Sequence, residues 1–242
     1  MRLKNLVLAV VASITLSSVV EALPLSSIRS AVRSRLRDTA ADVSYQRYSD
    51  ATIDEFINEG QRDFVSKTLL MSGTTVFGLT SGTIEYDLPA DYLSSIRVTI
   101  SSRVLEQVSI GGLDSNSSDW TIATSTPTRY YVTPHSSATS YRIGFIAKPS
   151  VTTTGSVRMF YYQQATDLSS DTDVPFGGRY QYVPYHPALI DYASAIGWLV
   201  QGRMDLAKPF FDLYGGQIEI AKRNLGFMPD FNPAMTGSRT GK

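Results

Sequence analysis

A chain of 242 residues, 43% of them hydrophobic, can bury a sizeable core, and its 22 basic and 22 acidic residues leave no net charge. That balance excludes bulk electrostatic attraction to nucleic acid or an anionic membrane. The lack of cysteine excludes a disulfide framework, a thiolate metal site and a cysteine nucleophile, so packing alone must hold the fold.

The chain opens with Arg2 and Lys4 ahead of an apolar run over 6–20, and Val20-Glu21-Ala22 resembles a small-residue cleavage site. This is the three-part pattern of a secretory signal. The same residues are compatible with an N-terminal arm that packs in an assembly, or with an overextended reading frame. Ser13, Thr15, Ser17 and Ser18 interrupt the run, which is too short for a comfortable membrane span.

From Pro24 onward Leu25, Ile28, Val32 and Leu36 form one helical stripe, with Ser26 or Ser27 placed to cap it. Arg29, Arg33 and Arg37 share another face, where they are solvated, meet an acidic partner surface or contact DNA. A second helix starts at Ser49 as N-cap with Asp50 in its first turn, Tyr48 and Ile53 placed as a staple, and an end near Gly73.

Between 81 and 163 the pattern becomes short and alternating. Thr83 to Leu88, Ile96 to Ile100, Tyr141 to Ile146 and Val157 to Tyr162 read as antiparallel strands. The stretch 111–135 reads as long loops pinned by Trp120 and Tyr130. Pro187 opens a third major helix along Leu189, Ile190, Ala193, Ile196 and Val200. Asp205 can cap a last one through Phe210, Leu213, Tyr214, Ile218 and Leu225, in which Gly215-Gly216 predicts a kink or break. The fold class expected is α+β: a helical bundle from 25–75 and 184–225, an inserted antiparallel β module over 76–183, and extended termini over 1–24 and 226–242.

The chain has no Walker loop, Rossmann fingerprint, nucleophile elbow or HExxH. His135 and His186 have no histidine partner nearby in sequence, and capping or surface roles suffice for both. Asp167, Asp171 and Asp173 crowd one loop without the ligand spacing of an EF-hand and read as a solvated acidic loop. Asp50, Asp54 and Glu55 serve helix dipole and solvent, and Asn116-Ser117-Ser118 matters as a sequon only in a eukaryotic secretory setting. The tyrosines suit either strand faces or a carbohydrate-binding surface. No catalytic residue, metal or cofactor is expected.

The order of these passages resembles the head-to-tail connector (adaptor) proteins of tailed bacteriophages over about 25–225. It is carried by Tyr48 through Gln61, Tyr86-Asp87-Leu88-Pro89-Ala90-Asp91-Tyr92, Ile143 through Pro149, Phe160-Tyr161-Tyr162, Asp173-Val174-Pro175-Phe176 and His186 through Ala193. The resemblance implies a non-enzymatic virion protein. It would form a ring, usually of twelve copies, between portal and tail, with DNA passing through the lumen without sequence-specific binding and with no small-molecule substrate. A tail or nozzle protein would follow it. The alternative is a secreted, lectin-like β-rich module, favoured by the signal-like start and opposed by the helices at both ends. In the tail, Phe227, Met228 and Phe231 are bulky groups on a segment that Pro229 and Pro233 hold extended, suited to docking on a portal or neighbouring subunit.

Overall fold

The computed structural model describes residues 22–40, 46–116, 120–135 and 140–226. Helix α1 spans Leu25–Leu36 and buries Leu25, Ile28, Val32 and Leu36, the stripe set by its three- and four-residue spacing. Its N-cap is Pro24 and not a serine. The first two free amides donate to the carbonyls of Asp173 and Asp171, so a distant loop does what a side-chain cap would do. Helix α2 spans Asp50–Thr68, and Ser49 Oγ accepts from Thr52 N as the capping pattern requires. Tyr48 and Ile53 are buried in one cluster, and the Tyr48 ring meets Phe56 edge-on. The helix stops at Leu69, which takes the left-handed conformation and returns its N–H to Val65 O, well before Gly73.

The chain then enters strands: β1 (Ser72–Leu79), β2 (Glu85–Asp87), β3 (Tyr92–Ile100), β4 (Arg103–Val104) and β5 (Glu106–Gln107). A short helix α3 (Ile110–Asn116) precedes β6 (Thr124–Ser125), β7 (Arg129–Pro134), β8 (Tyr141–Ile146), β9 (Lys148–Pro149) and β10 (Thr153–Gln163). The 111–135 stretch is therefore more regular than its Ser/Thr/Pro content predicts. Tyr130 and Tyr131 in β7 are buried, and Trp120 stacks edge-on against Tyr131. One sheet has the order β1-β10-β3-β4 and a second β2-β8-β7-β5. The long pairings are antiparallel, while the two-residue pairings β5 with β7 and β6 with β9 are parallel, which departs from a purely antiparallel module. The sheets bury Val98, Val157 and Met159 against Ile143 and Phe145 in a core of their own.

After β10 the chain returns to the helices. Gln163 N donates to Met71 O, so departure and return lie side by side. Ala165, Leu168, Phe176 and Tyr182 belong to the helical core, so 164–183, expected to go with the strands, wraps the bundle instead. Two 3-10 turns, Pro175–Gly178 and Tyr180–Tyr185, lead into α4 (His186–Val200) and α5 (Met204–Gly226). Asp205 lies in the first turn of α5, ion-paired to Arg203. Gly215-Gly216 does not break that helix, because Tyr214, Ile218 and Ala221 anchor its buried face on both sides. Helix α4 packs between the others by close backbone approach. A Cβ on Gly60 would meet the Tyr192 ring at 2.8 Å, and one on Gly197 would meet Leu36 at 2.7 Å.

Candidate interaction surfaces

Two of the three arginines of the α1 stripe, Arg29 and Arg33, do not lie free. Arg29 donates two bonds of 2.7 Å to Asp54 and a third, of 2.9 Å, to Asp171, so α1, α2 and the acidic loop are tied through one guanidinium. Its side chain is 14% exposed, and the bond to Asp54, followed by that to Asp171, holds its pKa above the ordinary arginine value against the cost of burial. Arg33 is bound to Asp38, Asp50 and the Tyr48 carbonyl, and in return holds the Asp50 carboxyl below the usual range. The acids that Arg29 and Arg33 meet thus belong to this chain. Arg37 caps α1 in the left-handed region and stays exposed.

The acidic loop is likewise structural. Asp167 is bound by Arg62 and Asp171 by Arg29, while Asp173 accepts the backbone amides of Ser169 and Ser170, which lower its pKa. Among the described residues no group of histidines and carboxylates is arranged to hold a metal ion.

His186 is not a surface residue. It has no solvent exposure, accepts from Leu23 N through Nδ1 at 3.1 Å and packs against Phe176. Burial keeps the imidazole neutral and lowers its pKa to about 4. The unfolded chain takes up this proton near pH 6.5 and the folded chain only near 4, so its contribution to stability is complete above about 6.5 and is lost as pH falls towards 4. His186→Gln is therefore expected to flatten the loss of melting temperature between pH 6.5 and 4.5. An unchanged slope would assign that loss to other groups.

Three sets of outward-facing groups stand out among the described residues. On α5, Leu213 and Ile220 are 56% and 45% exposed, with Gly216 between them on the same face. On α2, Glu55 and Glu59 are exposed one turn apart. On the outer face of the β1-β10-β3-β4 sheet, an open groove of about 680 Å³ includes Arg97, Thr99, Arg158 and Phe160 in its lining. Strand alternation carried the signal for this last group, since Val98 and Ile100 turn inward and leave Arg97 exposed, with Thr99, itself buried, on the groove side. Phe227, Met228 and Phe231, together with 1–21, lie outside the described residues.

The chain is an α+β protein of two packed bodies, one helical and one of strands, and its family match puts it in the bacteriophage head-to-tail adaptor class. The model of the SU10 adaptor protein family matches residues 23–226, spanning both bodies, and the chain belongs to that family of virion structural proteins. No curated protein matches the chain.

Proposed function

We propose that copies of this chain, twelve in number, close into a ring between portal and tail, with DNA passing through the lumen and no chemistry performed on it. The reading rests on the family match over 23–226. It is supported by the apolar stripe on α5, where Leu213 and Ile220 face outward on a helix whose other side is already buried. The tail over 226–242 then docks on the portal or a neighbouring subunit through Phe227, Met228 and Phe231, each aromatic contributing on the order of 1.5–3 kcal/mol before ordering costs. Purified chain added to portal rings is expected to appear as a second, twelve-fold ring in electron micrographs. Deleting 226–242 should leave the monomer folded, since the tail lies beyond the helical stripes, and abolish retention on immobilised portal. Retention equal to that of the full chain would move the docking surface to the helices.

A further inference from the structure

Two like-charged pairs on opposite bodies of the molecule are left without a counter-ion. On the sheet, Arg158 stands beside Thr99 and Phe160 beside Arg97, so the two arginines share one face as diagonal neighbours on adjacent strands. Both are exposed, and neither guanidinium has a hydrogen bond or ion pair among the described residues. No carboxylate lines the groove they occupy; its rim is made of hydroxyls such as Ser101 and Ser102. By contrast Arg29, Arg33, Arg35, Arg62, Arg142 and Arg203 each hold a carboxylate within the chain.

On α2 the mirror case occurs. Ala51, Glu55 and Glu59 are exposed at four-residue spacing, and like charges so placed on a helix repel. Glu55 has no partner among the described residues, and Glu59 has only the Tyr192 hydroxyl. Arg62 continues the same line but is held by Asp167. Positions one helical turn apart lie ~5–6 Å from each other, and diagonal sheet neighbours ~7–8 Å, so two carboxylates on the helix can each face one guanidinium on the sheet.

We propose that the occupant of the sheet groove is the α2 face of a second copy, with Glu55 and Glu59 meeting Arg97 and Arg158. The proposal rests on the ring reading and deepens it. Two different surfaces of one chain make a heterologous contact, the kind that closes into rings when the rotation permits. Phe160, beside Arg97, and Val76 and Val104, which are 51% and 54% exposed, offer apolar area on the same face. Side chains of a protein partner can cover it and a phosphodiester backbone cannot. Two cations are also too few to hold DNA firmly at ordinary salt.

The test uses the full chain under conditions where the wild type forms rings, read by sedimentation and native mass spectrometry. R97E/R158E and E55K/E59K are each expected to raise the concentration needed for assembly on the order of 100-fold, since both create like-charge contacts. Mixing the two variants in equal amounts should restore rings, because each supplies the face the other lacks, and restoration also shows that both are folded. Rings that form in either variant as readily as in the wild type would overturn this contact and leave the ring reading standing. A wild type that never assembles, alone or on portal rings, would overturn the ring reading and the contact with it. Unchanged assembly with lost binding of a 20-base-pair duplex would assign the groove to nucleic acid and overturn the inference.

Discussion

Phe64→Ala is expected to cost about 3–5 kcal/mol, the usual range for emptying an aromatic site in a packed core. Phe64 has no solvent exposure, and its ring lies 5.7 Å from Phe176, 5.7 Å from Tyr185 and 6.1 Å from Tyr214. One side chain of α2 thus joins the two 3-10 turns to α5. Removing it takes away the surface on which three separately folded segments meet, and the rings around it cannot all collapse into the space at once. In a chain of this size each kcal/mol moves the melting temperature by about 2–4 °C, so a drop of roughly 10 °C is expected by calorimetry. A drop below about 2 °C would mean that these segments are held together elsewhere.

Asp38→Ala should produce a loss of similar size, about 3–5 kcal/mol, for a different reason. The carboxylate is 6% exposed and accepts from Arg33 Nη1 at 2.9 Å, Arg47 N at 2.6 Å and Tyr48 N at 3.2 Å. It ties the end of α1 to Arg47 and Tyr48 ahead of α2, and its loss leaves backbone amides and part of a buried guanidinium without an acceptor. Asp50 holds the other edge of Arg33 but is 59% exposed and cannot replace the missing bonds. Replacing both partners, as Arg33→Met with Asp38→Leu, should cost less than the sum of the single changes, because no charge is then left buried alone. Urea denaturation of the four proteins gives the coupling. Strict additivity would show that the pair is not a unit.

These two residues also mark what the sequence could and could not convey. Phe64 lies on the apolar face of α2 that three- and four-residue spacing makes visible, and α1, α4 and α5 are legible in the same way. Ser49 announces the start of α2 because a capping side chain acts within three residues. The partners of Arg29 and Arg33 lie as far away as Asp171, and nothing in the spacing of α1 says that acids from other elements cover its arginines. Strand β1 escaped because Gly73 and Gly78 weaken its alternation and it follows the helix with only Leu69 to Met71 between them. Tyr130 was readable as an anchor of its stretch, but the strand that carries it and buried Tyr131 was not, because turn-forming residues border it on both sides. For the inferred subunit contact, the outward direction of Arg97 was readable from alternation. Its placement diagonal to Arg158 requires the register of β3 on β10, which no local pattern encodes.

The side-by-side passage of the chain at Met71 and Gln163 has a mechanical consequence. Strands β1 and β10 run antiparallel, so the end of one that leaves the helical body is adjacent to the end of the other that returns to it. A force drawing the two bodies apart therefore tugs both strands from the same end and in the same direction. Their shared ladder carries little of that load, which passes instead into the bonds between β10 and β3, loaded along the strands in shear. Shear sets many ladder bonds against the force at once, whereas peeling breaks them one at a time. The junction is thus built to transmit tension without unzipping.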